Sequence, residues 1–140
     1  MAGTATPVFP QTISNFSAVQ ILPADTTTLK TIVTPGANGC KVENILVQST
    51  DTSAKDLVLV VTKGGTDFPL ATISIPANSG NTNALIPISL FQHAMLVGLN
   101  IDAFGNKYLY LGNGSVLKAK VATTVTTAKV ISIFPQGGDF

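Results

Sequence analysis

The chain has 140 residues, a formal net charge of +1 and only 11% charged side chains beside 45% hydrophobic ones, where an average soluble domain carries roughly 25% charge. The near balance of charge offers no electrostatic basis for binding nucleic acid or anionic lipid, and no apolar run approaches the roughly 18 residues of a membrane-spanning helix. The length suits one domain, large enough to bury about two thirds of its unfolded surface without metals or disulfides.

Residues 1–12 contain Gly3, Pro7 and Pro10 among several threonines and have no clear period. They read as an extended N-terminal arm with Val8, Phe9 and Pro10 as anchors, able to reach at most about 40 Å onto a neighbouring subunit; a frayed tail is the alternative. The segment has neither a basic nor an apolar leader region, so no signal peptide is expected and synthesis in a reducing compartment is. The triplets Asn15–Ser17 and Asn113–Ser115 then read as coincidental. Residues 13–140 read as a single β domain.

In that domain strand follows strand. Residues 17–22 place Val19 and Ile21 on one face, and residues 29–34 are β-branched and stop at Pro35-Gly36. Cys40, the sole cysteine, cannot form an internal disulfide and opens an apolar strand that runs over residues 42–50, so it reads as a buried small hydrophobe. The run LVLVVT (57–62) predicts a strand buried on both faces. Gly64-Gly65 predicts a tight hairpin into a strand over 68–75, with Ile73 and Ile75 inward. Pro76 ends it, and 77–83 form a polar loop. A strand over 84–90 alternates Ile86, Ile88 and Leu90, with Pro87 favouring an edge or a bulge.

Residues 91–99 (FQHAMLVGL) admit a short helix, in competition with a strand over 96–101. Gly112-Asn113-Gly114 predicts a second hairpin, between 108–111 and 115–122, with Leu117, Ala119 and Val121 inward and Lys118 and Lys120 outward. A last strand covers 129–135, and QGGDF reads as a short flexible tail closed by Phe140. Eight to ten short strands with almost no helix predict an all-β fold, a β-sandwich with a jelly roll as the leading topology.

The parts for catalysis are missing. His93 has no second His, Cys or acid at metal-ligand spacing and reads as a half-buried structural imidazole. A Cys40–His93 pair is available to any chain holding one of each, and no nucleophile elbow, Walker loop or dinucleotide fingerprint is present. Asp51, Asp56 and Asp67 match no calcium loop and read as solvated turn residues. No enzyme activity, cofactor or metal is expected. Tyr108 and Tyr110 share one face of a strand; they read as cross-strand packing or as a small platform for sugar, in a chain with 0 Trp and 2 Tyr.

The scarcity of Lys and Glu leaves sheet edges poorly guarded against association. Occupation of much of the exterior by partners is the expectation, against the alternative of an extracellular β domain with a Thr/Asn-rich surface.

Two stretches, KGGTDFPLATISIPANSGNTN and the closing KVISIFPQGGDF, resemble the cement or decoration proteins of tailed bacteriophage heads, whose members often end on Gly-Gly-Asp-aromatic. The likeness covers the second half to two thirds of the chain and rests on turn-and-strand patterns. It implies a jelly roll or related sandwich docked on the outside of the capsid, made in the host cytoplasm, bound to the major capsid protein and working as a homodimer or homotrimer, with no nucleic-acid or membrane partner. Val8, Phe9 and Pro10 in the arm and Phe140 in the tail are the candidate contacts. A tail or fibre component and a carbohydrate-binding module are the alternatives.

Overall fold

A computed structural model describes residues 9–13 and 16–140; Val8 and the rest of the arm before it lie outside them. The strands in order are β1 (Val19–Ile21), β2 (Lys30–Val33), β3 (Cys40–Ser49), β4 (Lys55–Lys63), β5 (Thr66–Ile75), β6 (Ile88–Ser89), β7 (Asn100–Ile101), β8 (Lys107–Leu111), β9 (Ser115–Val121) and β10 (Ile131–Asp139). A one-turn 3-10 helix, Pro23–Asp25, links β1 to β2, and no α-helix occurs among the described residues. All pairings between strands are antiparallel. One sheet runs β1-β10-β3-β8-β7, with β6 also on β3; the other runs β2-β9-β4-β5. The two inner faces bury one continuous apolar cluster, so the fold is a β-sandwich.

Alternation along each strand decides which side chains enter that cluster. In β9, Leu117, Ala119 and Val121 are fully buried while Lys118 and Lys120 face outward, as predicted. In β3 the phase changes midway. Pairing with β10 skips Glu43, a β-bulge, so inward residues switch from Cys40 and Val42 to Ile45, Val47 and Ser49. The run 57–62 is not buried evenly on both faces: Leu57 and Leu59 join the core, Val58 is half-buried, and Val60 is buried outside the interior cluster, paired with Lys118 and Pro69.

The two predicted hairpins part ways. Gly64 and Gly65 have φ of +58° and +78°, the double positive pair of a type I′ turn, and join β4 to β5. The turn Gly112–Gly114 is equally tight, with Ser115 N–H donating to Gly112 O at 3.0 Å. It makes no hairpin: β8 pairs with β3 in one sheet and β9 with β2 and β4 in the other. Crossing between sheets lets both Leu111 and Leu117 face the core. Turn chemistry sets the reversal, and the pairing partners set where it leads.

Three further expectations change. The strand over 84–90 shrinks to β6, because the preceding chain winds back on itself. Gly80, at φ +72°, donates its N–H to Leu85 O at 2.9 Å, and Pro87 has no N–H for a ladder. Ile86 is left 81% exposed, whereas Leu90 is buried. Residues 91–99 form neither helix nor strand but successive turns, pinned by the buried Phe91 and Leu96, with the half-buried Leu99 packed against the same core. QGGDF is not a loose tail, since β10 continues through Asp139.

Asp51 is not a solvated turn residue either; it is fully buried just beyond β3. Its carboxylate accepts from Ser53 N–H and Oγ (both 3.0 Å) and from Thr126 N–H and Oγ1 (both 2.8 Å). Lys55 Nζ stands 3.8 Å away and donates to Thr124 O at 2.9 Å. Burial pushes the carboxyl pKa up, but the hydrogen bonds from Thr126 and Ser53 outweigh it and hold the group well below the usual carboxylate range. One buried charge thus ties the loops at 51–54 and 123–128 together. Asp56 and Asp67 are exposed.

Candidate functional site

The other end of β3, about 30 Å from Asp51 at the rise of a ten-residue strand, gathers both chain ends. Cys40 pairs with Leu111 and with Asp139, so β8 and β10 finish beside it. The arm then joins β10. Gln11 and Thr12 N–H donate to Asp139 O at 2.6 and 3.3 Å, and Asp139 N–H donates back to Thr12 O at 2.7 Å. Asp139 Oδ1 accepts from Gly36 N–H at 3.0 Å, and Phe140 N–H donates to Gly39 O at 3.1 Å. The glycine pair makes this closeness possible. A Cβ at 138 would stand 2.8 Å from Pro10 Cβ and 2.9 Å from Thr12 O, and one at 137 would collide with Lys41 O and meet the Phe16 ring at 2.8 Å.

These bonds fix Phe140 against Tyr110, with ring centres 5.9 Å apart and planes tilted by 46°. Tyr108 meets Tyr110 edge-on at 5.0 Å, and the Lys41 ammonium lies 4.9 Å from the Tyr108 ring centre while pairing with Glu43 at 3.1 Å. Gln11, Asn38, Tyr110 and Phe140 line an open cleft of about 640 Å³. Tyr110 is 53% exposed there. Asn38 Nδ2 donates to Phe140 O at 3.4 Å; among the described residues the Gln11 carboxamide and the Tyr110 hydroxyl make no hydrogen bond.

Of the candidate contacts, Phe9 is 69% exposed, Pro10 is exposed beside Gly138, and Phe140 is half-buried in the cleft. Arm, tail and tyrosine pair therefore occupy one neighbourhood, although the sequence separates them by about a hundred residues. Gln11 and Asn38 were missed. The Pro35-Gly36 turn signal lies close to Asn38 but says nothing about what the turn faces.

The segment between β6 and β8 was also missed as a site. Asp102 builds the turn from β7 to β8: its Oδ1 accepts from Phe104 N–H at 2.8 Å and Asn106 N–H at 2.9 Å, and its Oδ2 accepts from Asn106 Nδ2 at 3.2 Å. These bonds, led by that from Asn106 N–H, hold the carboxyl pKa below its ordinary value. The turn carries Phe104 outward, 91% exposed, and Met95, Val97 and Ile101 in the same segment are exposed as well. Lys107 Nζ donates to Leu96 O at 3.0 Å, tying the preceding turns to β8. The signal available in the sequence was Asp102-Ala-Phe-Gly-Asn, a turn pattern enclosing an aromatic residue.

Cys40 and His93 have local roles. Burial, then the Asp139 charge, pushes the Cys40 thiol up to about 11, against an opposing hydrogen bond at Leu111, so it stays protonated at neutral pH. The half-buried His93 accepts from Met95 N–H at Nδ1, 3.2 Å away. No cluster of three His, Cys, Asp or Glu able to hold a metal occurs among the described residues. Comparison with protein-family models, curated proteins and solved structures finds no match to the chain.

Proposed function

We propose that this chain is a structural protein of a tailed-bacteriophage virion, binding the outside of the icosahedral head and holding neighbouring major capsid subunits together. The observation that carries the reading is Phe104, an aromatic ring 91% exposed on a turn pinned by three hydrogen bonds to the Asp102 carboxylate, two of them from backbone N–H groups. A large apolar side chain left in water on a fixed turn adds little to the stability of the isolated domain. Covered by a partner, it is worth about 2 kcal/mol at low ordering cost. Met95, Val97 and Ile101 in the same segment expose further apolar surface, and a chain with 11% charged residues has few solvated groups to strip.

The strand order supports a jelly roll. With β6 and β7 set aside as two-residue additions, the eight remaining strands run first-eighth-third-sixth in one sheet and second-seventh-fourth-fifth in the other, an arrangement of eight antiparallel strands in two sheets. The resemblance of the Gly64-Gly65 hairpin and the Gly-Gly-Asp-Phe ending to head decoration proteins points the same way. A homodimer or homotrimer straddling capsid subunits would present several copies of the Phe104 patch at once, and linked weak contacts then add up to firm attachment.

Co-sedimentation of the purified chain with empty heads of its cognate phage, before and after expansion, tests the proposal. Binding to at least one form is expected, together with a rise in its melting temperature; Phe104→Ala should weaken binding by about thirtyfold, the equivalent of about 2 kcal/mol. Absence of binding to every head form, or gold label found on tails in electron micrographs of virions, would overturn it.

A further inference from the structure

We propose that the cleft between Tyr110, Phe140, Gln11 and Asn38 is a binding site for a neutral saccharide, independent of the capsid contact at Phe104. The volume, about 640 Å³, lies within the usual range for small-ligand sites. Among the described residues its lining is two aromatic rings and two carboxamides, with no ionised side chain. Lys41, beside the neighbouring Tyr108, is already engaged by Glu43 and the Tyr108 ring. An anionic ligand would find no countercharge among those described side chains.

A sugar ring offers an apolar C–H face and a rim of hydroxyls. The tilted pair Tyr110 and Phe140 suits the first, since an aromatic face takes apolar surface while a phenol hydroxyl stays wet. The carboxamides of Gln11 and Asn38 suit the second, because each offers both donors and an acceptor to hydroxyls that are themselves both. Gln11 makes no competing side-chain bond among the described residues, and Asn38 makes one long one. The platform is also built in advance. Tyr108 buttresses Tyr110 edge-on, three backbone bonds to Asp139 clamp the arm that carries Gln11, and Gly138 leaves the space in which the arm lies. Little ordering entropy remains to be lost on binding. A second copy of the chain is the weaker candidate occupant, because a stable protein contact buries about 1,200 Å² or more and, among the described residues, four line this recess.

Saturation-transfer NMR and titration calorimetry on the full chain, with maltotriose, cellotriose, chitotriose and a galactose trisaccharide as probes, test the assignment. At least one trisaccharide should saturate with a dissociation constant of about 1 mM or tighter. Tyr110→Ala should weaken it at least about tenfold, and Gln11→Ala or Asn38→Ala about fivefold, the scale of one hydrogen bond. Tyr110→Phe, which keeps the ring, should cost less than about threefold, and Phe68→Ala on the other sheet should change nothing. If Tyr110→Ala unfolds the chain, Gln11→Ala carries the test, because that side chain is exposed. Silence from all four probes at about 20 mM overturns the proposal. So does binding indifferent to Gln11→Ala and Asn38→Ala, or self-association that Tyr110→Ala abolishes.

Discussion

The two ends of β3 treat polar and apolar groups in opposite ways. Beyond Ser49, Asp51 is buried with four hydrogen bonds and a lysine 3.8 Å away, and every group it meets belongs to this chain. Near Cys40, the aromatic rings of Tyr110 and Phe140 stand half open, and β8, which pairs with Cys40–Val42, begins at the β7–β8 turn that holds Phe104 in water. The first end is complete within one molecule. At the second, rigid backbone carries unused apolar surface, the arrangement expected where structure serves a partner rather than its own stability. Stability and recognition are thus separated along a single strand, and substitutions at the two ends should separate them in the test tube.

The largest effect belongs to the closed end. Asp51→Ala removes a buried anion, strands the donors of Ser53 and Thr126, and leaves Lys55 without its countercharge, so it should lower unfolding free energy by about 4 kcal/mol in urea titrations. The pH dependence has a definite sign. Asp51 has a folded pKa below its unfolded value of about 3.9, so its contribution is complete above that value and fades as pH falls through the folded pKa. Wild type should therefore lose stability below about pH 4, and Asp51→Asn should flatten that part of the profile. Next comes Gly138→Ala, whose Cβ would stand 2.8 Å from Pro10 Cβ and 2.9 Å from Thr12 O; a loss of about 2 kcal/mol is expected, with the arm released to proteolysis near Gln11. A melt unchanged by Gly138→Ala would mean that the arm is not clamped and that the open end is open throughout.

Much of the closed framework could be read in the residues. Alternation of Leu117, Ala119 and Val121 against Lys118 and Lys120 gave the orientation of β9, and Gly64-Gly65 gave the β4–β5 hairpin, because period and turn chemistry are local properties. The bulge at Glu43 carries no local mark; it is a misfit between two strands ninety residues apart. The crossing at Gly112–Gly114 was misread for the same reason, since an identical turn serves a hairpin or a sheet change. Asp51 looked solvated because an aspartate among Thr and Ser resembles any turn, and its partner Thr126 is remote in sequence. The cleft was half legible: of its described lining Tyr110 and Phe140 were picked out, as were Phe9 and Pro10 in the neighbouring arm, but nothing local says that the chain ends meet, or that Gln11 and Asn38 complete the recess.

The open end should show the converse pattern. Phe104→Ala should leave the unfolding free energy within about 0.5 kcal/mol of wild type, as for other exposed positions, while head binding falls about thirtyfold. A drop in stability comparable to that of Asp51→Ala would mean that Phe104 packs on its own domain, and the contrast between the ends would fail.

The smallest effect is the most discriminating. Asp102→Ala removes no apolar surface; it removes the three bonds that aim Phe104. If Phe104 binds simply as a greasy side chain, the substitution should leave head affinity untouched. If the turn is pre-organised, the partner must now order residues 102–106 on binding, and affinity should fall about threefold to tenfold although the ring is still present. Amide exchange at Phe104 and Asn106 in the free protein supplies the second reading, since those N–H groups lose their acceptor and should exchange faster in the variant while β3 and β10 remain protected. Faster exchange with unchanged affinity would show that the rigidity of this turn serves the fold alone.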